Sequence, residues 1–173
     1  MANILTLYYS LSGETIAPGM TIVNLEKGHT AAAAEFIQQA VGGDLFEIET
    51  VKTYNPDHMT MIYEAKEELG QGIRPTIKHL PDLADYDTIF LGFPNWWNHL
   101  PMPVVSFLEQ LDWHGKTIIP YVTSGGNGFG QSLDELRRIC TGATIKDGAA
   151  FIGNDVETSA QAIGDWATHA LND

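Results

Sequence analysis

Runs of apolar residues suited to buried parallel strands alternate along the chain with segments whose apolar positions recur at the helical period. That is the arrangement expected of βαβ units covering both faces of one sheet. Five strands are expected: Ile4 to Tyr9, Leu45 to Val51, Thr88 to Phe93, Thr117 to Val122, and a fifth around Thr144 to Phe151. Five helices alternate with them. The first, Thr30 to Val41, sets Ala33, Phe36, Ile37, Ala40 and Val41 in one apolar stripe, and Gly42-Gly43 ends it. The second, His58 to Leu69, is rich in Glu and Lys and reads as half exposed. The third starts near Pro103, where proline suits a first helical turn. The fourth runs from Gln131 to Cys140, and the last, Thr158 to Leu171, aligns Ala160, Ile163, Gly164, Ala167, Ala170 and Leu171 on one side. No repeat, low-complexity tract or linker interrupts the plan, so one domain over residues 1–173 is expected.

Composition narrows the function classes. Of the 173 residues, 44% are hydrophobic, enough for a sizeable core. No apolar run approaches the roughly 20 residues that cross a bilayer. Met1 to Tyr9 lacks a basic region ahead of an apolar stretch, so the reading is cytoplasmic, with no membrane partner. A net charge of -13 repels nucleic acid and anionic lipid, and no nucleic-acid partner is expected. The same charge serves solubility or offers a docking face to a basic partner. Cys140 is the single cysteine, which excludes an internal disulfide and a cysteine-based metal or iron–sulfur site; it reads as a small buried hydrophobe.

In an open α/β sheet, ligands sit beyond the carboxyl ends of the strands. The loop after the first strand begins Ser10-Leu11-Ser12-Gly13-Glu14-Thr15 and returns through Lys27-Gly28-His29-Thr30 into a helix. Hydroxyls and glycine at a helix N-terminus suit a phosphate, although ordinary capping uses the same residues. The loop after the third strand, Gly92-Phe93-Pro94-Asn95-Trp96-Trp97-Asn98-His99-Leu100-Pro101, carries two adjacent tryptophans that cannot both enter the same core. At least one is expected to face the crevice, where a flat aromatic suits a flat heterocycle; the other reading is a cover for the sheet or an oligomer contact. The loop after the fourth strand, Thr123-Ser124-Gly125-Gly126-Asn127-Gly128-Phe129-Gly130, has four glycines in six residues and lets backbone approach a ligand closely.

Several familiar motifs fail. Gly115-Lys116-Thr117 lacks the earlier glycine of a P-loop and precedes a strand, Gly126-x-Gly128 continues to Gln131, and there is no Gly-x-Ser-x-Gly elbow. The six histidines show no metal-ligand spacing, and no metal site is expected. His29 and His99 lie in the expected crevice.

Taken in order, Tyr8-Tyr9-Ser10 with its Ser/Thr/Gly loop, Gly92 to Trp97, Pro101-Met102-Pro103-Val104-Val105-Ser106-Phe107-Leu108-Glu109, and Gly115-Lys116-Thr117 leading to Thr123-Ser124-Gly125-Gly126 resemble the bacterial flavodoxin-like flavoproteins. Arg74-Pro75 adds to the likeness, which covers nearly the whole chain. The resemblance implies a doubly wound three-layer α/β sandwich, a five-stranded parallel sheet in order 2-1-3-4-5, and one FMN between strands 1 and 3. It places the phosphate on Ser10, Ser12 and Gly28-His29-Thr30, and the isoalloxazine against Pro94, Asn95, Trp96, Trp97 and Asn98. Thr123, Ser124, Gly125, Gly126 and Gly128 fall to the other side of the ring or the ribityl chain.

One departure stands out. The family pattern runs from Gly-Asn-Thr straight into the first helix, whereas here Gly13-Glu14-Thr15 is followed by Ile16 to Lys27 before Gly28-His29-Thr30 opens it. The second Gly-x-Thr turn is favoured for the phosphate because a helix follows it, with Thr15 as the competing ligand. Residues 16–27 are then an inserted flap with a turn at Pro18-Gly19.

The function expected is electron transfer through FMN with a redox partner protein, the acidic field disfavouring negative charge on the reduced flavin. The alternatives are an NAD(P)H-dependent reductase of quinones or other small acceptors, and a non-catalytic interaction module with a decayed flavin site. The absence of a basic cluster for a pyridine-nucleotide phosphate favours the carrier. Aromatics near the crevice make a homodimer an expectation.

Overall fold

The structure is a computed structural model that describes residues 3–17 and 19–173. Its sheet grows from strands whose sequences are apolar on both faces. In β1 (Ile4–Tyr8) all five residues are buried, and β5 (Thr88–Pro94) and β6 (Thr117–Ser124) each bury all but their end residues. Such strands need helices on both sides. β4 (Asp44–Glu47) pairs with the outer edge of β1, and the order β4-β1-β5-β6 is parallel throughout.

The period of two then sorts the core into two halves. Ile4, Tyr8, Phe90, Ile119 and Tyr121 meet α1 (His29–Val41) and α5 (Ala160–Asn172) on one face. Leu5, Leu7, Ile89, Leu91, Phe93 and Val122 face α3 (Met102–Leu108) and α4 (Ser132–Ile139) on the other, and α2 (His58–Gln71) packs there through Met61 and Leu69. Small residues on α1 let α5 come close: a Cβ at Gly164 would stand 3.3 Å from that of Ala40. Of the expected stripe on α1, Ala33 and Ile37 are buried with Thr30, Ala32 and Ala34, Phe36 and Val41 pack half-buried on the same core, and Ala40 is exposed.

Four sequence expectations change in detail. The fifth strand is broken into β7 (Thr144–Ile145) and β8 (Ala149–Ile152), both paired with β6, so the sheet has six strands. The register explains the break. Ile118 pairs with Ile145 and Tyr121 with Ala149, so the edge takes four steps where β6 takes three. The extra residue sits opposite Pro120, which has no N–H for a ladder, and Gly148 absorbs the bulge at a φ of 72° with the Pro120 carbonyl where a Cβ would be.

The second change is a short 3-10 turn, Gly153–Thr158, that precedes α5 and delays its start to Ala160. In the third, the flap is an antiparallel hairpin that begins at Gly13, not Ile16: β2 (Gly13–Ala17) pairs with β3 (Thr21–Leu25). Pro18 of the expected turn lies outside the described residues. In the fourth, the second strand, expected over Leu45 to Val51, is β4 and ends at Glu47, whereas the third helix starts at Met102, near Pro103 as expected.

Beneath the α2 side lies a buried charge. Glu68, 3% exposed, accepts from the Tyr54 hydroxyl at 2.5 Å and from Lys52 at 2.7 Å, so its desolvation is met by two donors. Cys140 is buried, which pushes its thiol up to about 12.

Two glycines give opposite tests of this packing. Gly92 is paired with Tyr121 across β5 and β6, and a Cβ there would stand 2.0 Å from the fully buried Tyr121 ring. Gly92→Ala should therefore lower unfolding stability by about 3 kcal/mol and Tm by about 10 °C. Gly70, on α2 with open space around it, should gain up to about 1 kcal/mol as Gly70→Ala. Denaturant unfolding of both variants checks the pair.

Candidate functional site

The loops after β1 and β5 leave toward opposite faces of the sheet, because α1 packs on one side and α3 on the other. The tips of the strands between them are left open. A cleft of about 340 Å³ occupies that point. Ser10, His29, Thr30, Pro94, Asn95, Trp96, Thr123, Ser124 and Gly125 border it, so nine residues singled out in the sequence meet there. A neighbouring hollow of about 260 Å³ shares Asn95 and Trp96 and adds Trp97 and Asn98.

At one end of the cleft is the first turn of α1. Its N-cap, Gly28, has no side chain to offer, and Ser10 caps in its place by accepting from the Ala31 amide at 3.2 Å. Gly28 is required by that approach, since a Cβ would stand 2.2 Å from the Ser10 hydroxyl and 2.4 Å from the Leu11 carbonyl. The amides of His29 and Thr30 have no acceptor among the described residues, as befits the first donors of a helix. The Thr30 and Thr123 hydroxyls are 2.7 Å apart and buried, tying this turn to the tip of β6. His29 packs on Gly153, and burial lowers its imidazole below the usual range against a smaller opposing pull from Glu157. No lysine or arginine borders the cleft among the described residues.

The other end is held by Asn95. Its side-chain amide donates to the Gly128 carbonyl at 2.7 Å and its oxygen accepts from the Asn98 amide at 2.8 Å, joining the loops after β5 and β6. Ser124 organises the glycine loop by accepting from the amides of Gly126 and Gly128. The two tryptophans separate. Trp96 meets Tyr9 and Tyr54 edge-on, at centroid distances of 5.5 and 5.4 Å, and forms a cleft wall. Trp97 is 39% exposed and lies on α2, its indole N–H donating to the Ile62 carbonyl at 2.7 Å beneath the Lys66 ammonium. Trp97 and Asn98 both adopt left-handed backbone, at φ of 57° and 66°. Asparagine tolerates that conformation, whereas a tryptophan pays about 1 kcal/mol, offset here by its contacts to α2.

Four expected site residues stand apart. Ser12 and Gly28 border a different cavity across the Ser10–Gly13 loop, and Gly126 and Gly128 support the glycine loop without lining either hollow. Gly13-Glu14-Thr15 runs into a strand and Gly28-His29-Thr30 into a helix. Thr15, the competing phosphate ligand, also borders the cleft, and other residues there went unanticipated: Glu14 and Ile16 from the hairpin, His58, Met61 and Ile62 from α2, and Gly153 and Asn154 from the 3-10 turn. The apolar pair Met61-Ile62 on an otherwise charged helix was the available signal. The hairpin is fastened on both sides of the cleft: Glu14 accepts from the His58 amide at 2.9 Å, and Asn154 donates to the Ile16 carbonyl at 3.5 Å.

A family model described as flavodoxin matches residues 20–169. The chain belongs to the flavodoxin family. Comparison with curated proteins gives no match. Among solved structures, a protein described as a flavoprotein from Bacteroides uniformis is 32% identical, with a TM-score of 0.70 over 94% of this chain and 97% of that one. Another from Bacteroides eggerthii is 28% identical, with a TM-score of 0.71 over 94% and 98%. A flavoprotein from Lactobacillus acidophilus, crystallised in complex with FMN, shares the flavodoxin fold at 21% identity and a TM-score of 0.67 over 91% and 98%.

The bridge made by Asn95 is the part of this geometry most open to test. Asn95→Ala removes both of its hydrogen bonds and should cost about 2 kcal/mol in denaturant unfolding. Hydrogen exchange at the Asn98 amide should accelerate while the amides of β1 and β6 keep their protection.

Proposed function

We propose that the protein binds one FMN in the cleft at the tips of β1, β5 and β6 and serves as an electron carrier. The observation that carries this reading is the convergence of three strand-tip loops on one cleft, with a helix start whose His29 and Thr30 amides have no acceptor among the described residues at one end and an indole wall at the other. The residues fit the group. The amides of His29 and Thr30 lie where the dipole of α1 favours a phosphate, with the hydroxyls of Ser10 and Thr30 beside them. Trp96, Trp97 and Pro94 supply flat apolar walls for the ring system, and Gly125 leaves the facing side open.

When bound, FMN supplies one- and two-electron chemistry. The chain's own part is position and field. Asn95, braced between Gly128 and Asn98, holds the polar edge of the ring site in place. The net charge of -13 makes added negative charge in the cleft costly, which favours passing electrons on. A pyridine-nucleotide phosphate calls for basic side chains, and none borders the cleft among the described residues, which supports a carrier over an NAD(P)H-dependent reductase.

The visible spectrum of the purified protein tests the reading: a yellow holoprotein, or one that turns yellow on FMN titration, is expected. NAD(P)H alone should leave that colour unchanged, and prompt bleaching would replace the carrier by the reductase. A colourless protein indifferent to FMN would end the proposal.

His29 provides an independent check of where the phosphate lies. In the free protein burial disfavours its imidazolium, so its NMR titration should fall below the ordinary value of about 6.5. A bound phosphate favours the imidazolium, so FMN should move the midpoint upward, and riboflavin, which has no phosphate, should not.

A further inference from the structure

The inserted hairpin is a sheet with one edge unfinished. β2 and β3 pair one to one, from Gly13 with Leu25 to Ala17 with Thr21, and β3 has no other backbone partner among the described residues. What its free edge offers follows from the far side of β2. The Glu14 carbonyl lies 3.3 Å from Nδ1 of His58, and the Ile16 carbonyl accepts from Asn154, so both point away from β3. In an antiparallel pair, residues directly opposite each other turn their backbone groups either both inward or both outward. Glu14 is opposite Asn24 and Ile16 opposite Ile22, so the N–H and C=O groups of Ile22 and Asn24 point outward, beyond β3.

Exposed edges are ordinarily blunted by lysine, proline or a bulge. β3 reads Thr21-Ile22-Val23-Asn24-Leu25, with neither residue and with an unbroken register. Its apolar side chains are also uncovered, Ile22 being 51% exposed and Met20, just before it, 81%. A two-stranded ribbon is marginal by itself, and further strands complete it.

Charge and symmetry select the strand that fits. The chain carries a net charge of -13, so two copies repel one another and approach most easily where charge is absent. Thr15 to Leu25 contains no charged residue. With two copies of β3 antiparallel about a two-fold axis at Val23, Ile22 of each copy faces Asn24 of the other, and each of these pairs exchanges both backbone hydrogen bonds. Centring the axis on Ile22 or Asn24 keeps only one such pair within the strand. Glu26 then lies across from Met20 and Lys27 across from Gly19, so no charge meets its like, and Val23 packs on its own counterpart.

We propose that the protein self-associates through the free edge of β3, a second copy adding its own β3 antiparallel so that both hairpins form one continuous sheet. The contact does not depend on what the strand-tip cleft binds.

Sedimentation of the full chain from about 10 μM to about 1 mM tests the assignment, since so short an edge places the dimer in the weak class. A monomer–dimer equilibrium is expected. It should tighten as salt is raised, because repulsion between two acidic copies is screened while apolar and backbone contacts are not. Asn24→Pro removes an outward N–H without touching the bonds to β2, and should weaken association at least about tenfold. Ile22→Glu, which leaves the backbone unchanged and decides the matter should the proline unsettle the hairpin, should weaken it comparably. Leu80→Glu makes the same change in charge at a position 43% exposed outside the hairpin and should leave association unchanged. A monomer throughout the range, a dimer that salt dissociates, or a dimer that survives Ile22→Glu would overturn the proposal. Equal losses in Ile22→Glu and Leu80→Glu would do the same, by showing an effect of net charge alone.

Discussion

The reversal of strand order between β1 and β5 is the constraint from which the rest of the molecule follows. β1 hands the chain to α1 on one face, and the path through β4 and α2 returns on the other face to lay β5 along the opposite edge of β1. Neither α1 nor α3 can then cover the strand tips between them. A crevice there is a consequence of connectivity, so any sequence with this topology must fill it, cap it or use it. This chain leaves it open and surrounds it with hydrogen-bonding groups.

What keeps an open crevice in shape is a set of short ties between its walls. The buried Thr30–Thr123 hydroxyl pair joins the start of α1 to the end of β6, and Asn95 joins the loops that follow β5 and β6. Beneath them, Gly92 and Tyr121 pack so closely that the sheet under the cleft has no room for a side-chain methyl. The site thus rests on strands whose interiors are buried, while its specific groups sit on loops braced by side-chain-to-backbone bonds. Rigid support with adaptable edges is what holding a flat, polar-rimmed ligand requires.

Much of this was legible in the sequence because it follows from local pattern. The buried strands betrayed themselves by continuous apolar runs, and Gly42-Gly43 marks a helix end where positive φ is needed. The three strand-tip loops stood out by composition, and nine of the residues singled out there meet in one cleft. What escaped notice depends on partners distant in sequence. The bulge at Gly148 is dictated by Pro120 on the neighbouring strand, and nothing around Asp147 announces it. Ser10 reads as a phosphate ligand and also turns out to cap a helix 21 residues away. Met61 and Ile62 belong to the cleft because the turn after β5 lays Trp97 on α2, a contact that helical periodicity does not encode.

The inserted hairpin changes what this architecture can do. Where the family pattern runs from the first glycine turn straight into α1, here the chain detours through β2 and β3 and is fastened by Glu14 at the start of α2 and by Ile16 at the 3-10 turn. Ser10, Leu11 and Glu14 consequently border cavities on both sides of one loop. One cavity has no basic side chain and a helix start offering free amides; the other is bordered by five glutamates and two lysines. The two cavities thus differ in the charge of their linings a single loop apart.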